Sequence, residues 1–199
     1  MISISRKIGD GGTWILNKIV RALVRLGVSP NFLTFFGMTI NVVAGFYFGY
    51  GYFRIGGLIV LGASVFDMLD GRVARESNRV SKFGAFYDSV IDRYSDMAIY
   101  LGLLIYYYQI QSMRFVIIVG LVILGSVMTS YTRARAESLI SSCKVGFLER
   151  PERIVLIILG GLFNCIPQAL WVILVFSHLT VVSRIYYTRK QLRAAGDPR

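Results

Sequence analysis

Residues 67–92 read DMLDGRVARESNRVSKFGAFYDSVID, four aspartates set between long uncharged runs. Asp67 and Asp70 are spaced i, i+3, and Asp88 and Asp92 i, i+4, so on helices each pair shares a face. Upstream, residues 32–53 and 55–66 carry no charge; downstream, 97–113, 115–132 and 154–183 carry none either. One helical crossing of a bilayer takes about 20 residues. The run 32–53 is therefore one span, and 55–66 is a second that continues through the aspartate stretch to about 78. A third covers 97–113 and begins near 83, and a fourth covers 115–132. The run 154–183 holds two, turning near Asn164-Cys165-Ile166-Pro167.

Composition agrees. Of 199 residues, 55% are hydrophobic and 17% charged, with mean hydropathy +0.59. That is too apolar for an ordinary soluble domain. The net charge of +11 calls for anionic partners; at this hydropathy these are membrane lipids and phosphorylated substrates, not nucleic acid. Cys143 and Cys165 form no CxxC pair and no disulfide framework, which argues against zinc or redox roles. His178, the single histidine, lies in an apolar run and reads as a packed residue.

The start of the chain adds a different element. In 13–27, Ile15, Leu16, Ile19, Val20, Leu23 and Leu26 fall on one side at helical period, and Lys18, Arg21 and Arg25 on the other. Thr13 is placed to cap it. A basic amphipathic helix of this kind suits the headgroup layer. Residues 1–12 do not read as a cleaved signal. Ser29-Pro30-Asn31 ends this element and opens the next helix. The expectation is an all-α integral membrane fold: one domain over 1–199, an interfacial helix at 13–27, a six-helix core at 31–190 and a frayed tail at 193–199.

The basic residues orient it. Six spans put both termini on one side. Arg54 and Arg114 then fall in loops on the opposite side, and the other Lys and Arg residues lie in 1–25, 72–93, 133–153 and 184–199. By the positive-inside rule both termini and the aspartate site face the cytoplasm.

Four carboxylates at membrane depth are costly without compensating charge. Hard oxygen ligands suit Mg²⁺ or Mn²⁺, and four carboxylates suit two ions. Gly71, Gly84 and Ala74 let a bulky ligand approach helix backbones, and Arg75 offers a bidentate donor to phosphate. Pairing with Arg72, Arg75, Arg79 and Lys82 would account for any one aspartate. It does not account for all four at these spacings with two glycines.

The pattern D-x2-D-G-x2-A-R-x8-G-x3-D-x3-D, complete from Asp67 to Asp92, resembles the signature of the CDP-alcohol phosphotransferases, and the expected layout is similar to theirs. The resemblance implies a cytoplasm-facing cavity that binds the CDP moiety of a CDP-linked lipid. It implies that Asp67, Asp70 and Asp88 hold metal, with Asp92 joining them or standing beside them. Gly71, Ala74, Arg75 and Gly84 would line the CDP site. Asp92 would act as catalytic base on the acceptor hydroxyl, the role preferred here because a metal-bound carboxylate is a weak base. Asp96, one turn further on, would buttress Arg93 or the site. A homodimer is also implied.

The stretch Arg133-Ala-Arg135-Ala-Glu137, then Val145-Gly-Phe-Leu-Glu149-Arg150-Pro-Glu152-Arg153, and Arg184 gather basic residues at the same side. Arginine clusters grip phosphate, which favours a phosphorylated acceptor over choline or ethanolamine. Satisfying the positive-inside rule is the plainer role for any one of them. These strings resemble those of phosphatidylinositol-phosphate synthases and their archaeal counterparts within the family. That resemblance implies inositol 1-phosphate as acceptor, CDP-diacylglycerol or an archaeal analogue as donor, and Arg133, Arg150, Arg153 and Arg184 on the acceptor phosphate. Glycerol 3-phosphate is the rival acceptor. Two further classes compete. An Asp-rich membrane prenyltransferase would carry a second acidic cluster on a distant helix. A divalent-cation transporter leaves Gly71, Gly84 and Arg75 without a role.

Overall fold

A computed structural model describes residues 16–196, all of whose regular structure is helical. In chain order these are α1 (described over 16–25), α2 (Pro30–Gly49), α3 (Phe53–Glu76), α4 (Lys82–Gln109), α5 (Met113–Glu137), α6 (Arg150–Leu162) and α7 (Ile166–Ala194). Of these, α2, α5 and α7 are long and apolar enough to cross a membrane by length and composition. The Thr13 cap and Ile15 lie outside the described residues, as does 197–199.

The starts and stops follow local chemistry. Ser29 Oγ accepts from Phe32 N at 3.2 Å with Pro30 opening α2, and Ser81 Oγ accepts from Gly84 N at 2.9 Å at the start of α4. Glu149 and Glu152 form a capping box ahead of α6. Left-handed residues Gly51, Asn78, Gln111 and Asn164 follow α2, α3, α4 and α6, a conformation that stops a helix.

These stops correct several expected boundaries. The first apolar run ends at Gly49, not at 53, because Gly51 turns the chain. The third helix begins at Lys82 and ends at Gln109, short of 113, where Gln111 turns it. Arg54 and Arg114 therefore sit in the first turns of α3 and α5, not in loops. The tail remains helical to Ala194.

Helix α2 packs on α3 and α4, α3 on α6, α4 on α5, and α7 on α5 and α6. Glycines set two of these contacts. A Cβ on Gly45 would strike the Ala98 carbonyl oxygen, and one on Gly102 the Gly45 carbonyl oxygen. A Cβ on Gly161 would lie 2.6 Å from the Phe53 carbonyl oxygen. Backbones of α2 and α4, and of α3 and α6, thus touch directly, as small residues permit in membrane bundles. The main core, with Phe48, Val60, Leu103, Val122, Ile157 and Leu170, lies among the long helices.

Helix α1 packs through Leu16, Leu23 and Val24, with buried Val20, on Leu33, Leu69 and Val73. Ile19 and Leu26, from the same expected stripe, lie on the protein surface. The apolar side of α1 is wider than its contact with α2 and α3. His178 does pack between helices: its Nε2 is 3.2 Å from the Leu121 carbonyl oxygen.

Candidate active site

The C-terminal half of α3 and the N-terminal half of α4, joined by residues 77–81, hold the aspartates beside each other against α2. Asp70 is buried, and its Oδ2 accepts from Thr34 Oγ1 at 2.7 Å. Asp67 lies over Gly37, where a Cβ would come within 3.0 Å of Asp67 Oδ1. Asp67 and Asp88 repel Asp70, and Asp67 and Asp88 likewise repel Asp92. The four expected carboxylates therefore share one electrostatic site.

A cation already enters it. Arg150 Nη1 lies 3.0 Å from Asp67 Oδ2 and 2.9 Å from Asp92 Oδ1. Among the described residues no three acidic, histidine or cysteine side chains close around a single point; Arg150 stands between Asp67 and Asp92. Hard oxygen donors in mutual repulsion, with positive charge accepted between two of them, fit a hard divalent cation.

Beside the acids lies a cleft of about 270 Å³. Gly71, Ala74, Arg75 and Gly84, the four residues expected to bind CDP, all line it, together with Asp70 and Asp88. A Cβ on Gly71 would meet only the Arg75 guanidinium, at 3.6 Å, so the arginine folds back over the glycine. Pro30, Asn31 and Ser81 also line the cleft. They bring the N-termini of α2 and α4 to its wall, where the first-turn N–H groups not taken by Ser29 and Ser81 favour phosphate.

The four arginines expected to bind the acceptor phosphate form one network next to the acids. Arg150 Nε donates to Asp96 Oδ1 at 3.2 Å, and Arg153 Nη2 donates to Asp96 Oδ2 at 3.1 Å. Arg153 Nη1 donates to Thr129 Oγ1 at 3.1 Å. Arg184 Nη1 donates to the Thr129 carbonyl, and its Nη2 to Glu149 Oε1 at 3.0 Å. Arg133 Nη1 donates to the same Glu149 oxygen at 3.2 Å, and its Nε to Glu137 Oε1 at 3.2 Å. Asp96 thus pairs with Arg150 and Arg153 and not with Arg93, whose ion pair is with Asp92 at 3.7 Å.

Sequence reasoning missed Thr34, Asn31, Ser81 and Thr129. Asn31 reads as a helix-start residue, yet nothing local marks it or Ser81 as cleft lining. Thr34 and Thr129 are uncharged residues inside apolar runs, and their partners lie 36 and 24 positions away.

Residues 27–183 match the family described as CDP-alcohol phosphatidyltransferase. The chain is 36% identical over 178 residues to an archaetidylinositol phosphate synthase of Pyrococcus horikoshii, covering 89% of this chain and 92% of that protein. It also resembles the crystal structure of Mycobacterium tuberculosis phosphatidylinositol phosphate synthase with CDP-DAG bound. There the TM-score is 0.82 at 32% identity, covering 87% of this chain and 93% of that one. The same protein with manganese and citrate gives a TM-score of 0.80 at 32% identity, covering 87% and 88%. On the strength of a match running through most of its helices, this membrane protein belongs to the CDP-alcohol phosphatidyltransferase family.

Proposed function

We propose that this chain transfers a phosphatidyl-type group from a CDP-linked lipid, CDP-diacylglycerol, to inositol 1-phosphate and releases CMP. The observation that carries this reading is Arg150, one guanidinium in contact with Asp67 and Asp92 and joined to Arg153 through Asp96. A site for chemistry on the donor and an anion-gripping cluster therefore adjoin. The similar phosphatidylinositol phosphate synthase, solved with CDP-DAG bound, supports this donor, and both similar synthases support an inositol phosphate acceptor. Family membership leaves the prenyltransferase and cation-transporter readings without support.

In this reading the donor's CDP moiety lies in the cleft, its pyrophosphate toward Arg75 and the N-termini of α2 and α4. Gly71, Ala74 and Gly84 keep the walls thin enough for the nucleotide to reach backbone. Asp67, Asp70 and Asp88 hold Mg²⁺ or Mn²⁺, in two ions, with Asp92 beside them. Metal held by these residues would supply positive charge to offset that on the transferring phosphoryl group and on departing CMP. Asp92 takes the acceptor hydroxyl proton as the oxygen attacks the lipid-bearing phosphorus. The bond from that phosphorus to the CMP oxygen breaks. A carboxylate paired with a guanidinium is a weak base. Arg150 therefore releases Asp92 as it turns to the acceptor phosphate, alongside Arg133, Arg153 and Arg184.

Six spans, an interfacial α1, a single domain and a homodimer complete the proposal. The helix ends support the topology: Arg54 and Arg114 open α3 and α5, while the acids and the acceptor arginines gather toward the opposite ends. Both termini and the site then face the cytoplasm. Helix α6, at 13 residues, is about 20 Å long by the α-helical rise, and crosses only with the help of its flanking segments.

The test is CMP release by purified protein with CDP-diacylglycerol and, in turn, inositol 1-phosphate, inositol, glycerol 3-phosphate and serine. Release with inositol 1-phosphate alone is expected. Release with glycerol 3-phosphate instead would keep the chemistry and replace the acceptor.

A further inference from the structure

Asp96 lies outside the motif, yet it is the residue on which two of the acceptor arginines converge. It is 3% exposed, and Arg153 is 1% exposed. Each carboxylate oxygen is committed to a different guanidinium: Oδ1 to Arg150 Nε at 3.2 Å and Oδ2 to Arg153 Nη2 at 3.1 Å. A bare counter-ion for one buried arginine would not need this division. Its effect is to fix two long, flexible side chains relative to one rigid helix. With Nε on Asp96 and Nη1 on Asp67 and Asp92, Arg150 keeps Nη2 as a donor with no partner among the described residues. Arg153, with Nη2 on Asp96 and Nη1 on Thr129, keeps Nε, a buried donor without a partner. Among the described residues two donors thus remain without a hydrogen-bond partner on the arginines that Asp96 holds, the Arg153 one sealed in the interior.

The helix supplies the second part of the argument. Asp88, Asp92 and Asp96 follow at i, i+4 and i+8 on α4, so they lie one above another along the same face. Asp92 and Asp96 are separated by about 6 Å of helical rise. A hydroxyl beside Asp92 and a phosphate held by the arginines on Asp96 are therefore spaced by the helix itself.

We propose that Asp96 is a positioning residue of the acceptor site. It fixes Arg153, and Arg150 where that arginine bridges Asp96 and Asp92, and so sets where the acceptor's phosphate lies relative to its attacking hydroxyl. This rests on the acceptor reading above. Asp96 touches neither substrate and acts through the two arginines.

The test measures CMP release while CDP-diacylglycerol and inositol 1-phosphate are varied separately, for Asp96→Asn, Asp96→Glu and Arg153→Ala. Asp96→Asn raises the acceptor KM at least ~10-fold, the scale of one lost charge-assisted hydrogen bond, and leaves the donor KM within about twofold. Asp96→Glu keeps the charge on a longer stem. It returns the acceptor KM to within about threefold of wild type while kcat stays down about 10-fold, because the phosphate is held in the wrong place. A merely structural role would not separate KM from kcat in this way. An unchanged acceptor KM in Asp96→Asn, or equal rises in both KM values, overturns the proposal. Should the Asn variant not fold, Asp96→Glu decides: a depressed kcat with a near-normal acceptor KM supports the proposal, and wild-type kcat overturns it. Arg153→Ala tests the underlying reading, with a raised acceptor KM expected. If that variant leaves the acceptor KM unchanged, the acceptor site itself is wrongly placed. If it raises it while Asp96→Asn does not, only the role of Asp96 falls.

Discussion

Arg150 Nη1 lies 3.0 Å from Asp67 Oδ2, tying the first residue of α6 to α3 across 83 positions of sequence. The contact supplies positive charge that a divalent ion would otherwise supply to the same carboxylate. Arg150→Ala should therefore cost most when metal is withheld. With a chelator present, the variant is expected to lose about 1–3 kcal/mol of stability, below the range for a fully buried pair because Arg150 and Asp67 are partly exposed. Added Mn²⁺ should recover more of the melting temperature in the variant than in wild type. Equal recovery in both would show that the guanidinium and the ion do not share a place.

Asp92 tests the chemistry. Asp92→Asn keeps the shape of the side chain and removes its capacity to take a proton at neutral pH. Turnover is expected to fall at least ~100-fold, the lower end for losing a general base, with binding of CDP-diacylglycerol retained. Wild-type CMP release from a folded Asp92→Asn protein would remove Asp92 from the reaction.

Thr34 is the hydrogen-bond donor on which buried Asp70 relies. Thr34→Val removes that donor with little change of shape. A lost bond to a charged acceptor is worth about 1.5–3 kcal/mol, so a lower melting temperature and a loss of activity of at least ~10-fold are expected. Thr34→Ser, which keeps the hydroxyl, should stay close to wild type in both measurements.

Gly71 lines the cleft and has no close neighbour but Arg75. Gly71→Leu should fold, since leucine is a better helix former by about 1 kcal/mol, while its side chain fills the space meant for the nucleotide. The donor KM is expected to rise steeply and the acceptor KM to change little. Titration of CDP-lipid binding, independent of turnover, checks this.

Sidedness has a direct readout in the native cysteines. Cys143 is buried, and Cys165 is partly exposed at the turn between α6 and α7. A membrane-impermeant maleimide added to intact cells is expected to label Cys165. Ser141→Cys, at an exposed position near the acceptor arginines, should react only after permeabilisation. The reverse pattern would invert the topology.

The parts of this site that were legible in the sequence are those written in local spacing. Asp67 with Asp70, and Asp88 with Asp92, announce themselves because a helix converts three or four positions into one face. The long uncharged runs mark the helices that carry them. Helix ends were less legible: the turn at Asn164 is read from the sequence, but the left-handed turn at Gln111 uses a residue with no strong turn signature. Least legible were the partners of the charges. That Asp96 would face Arg153, and not neighbouring Arg93, depends on where α6 seats on α3, and that seat is set by glycines such as Gly57 and Gly161 far from the charges. The arginines were found as a group because they cluster along the chain; their division between Asp96 and Glu149 is a property of three dimensions.

Where Gly45 meets Ala98 and Gly102, α2 and α4 run carbonyl against Cα with no side chain between them. A seam that tight has no slack for a hinge. The seam joins the ends of α2 and α4 remote from the cleft, whose wall is made by Asn31 and Thr34 of the one and Gly84 and Asp88 of the other. Any give in the cleft is therefore left to the near ends of these helices and to the five-residue strap 77–81 between α3 and α4.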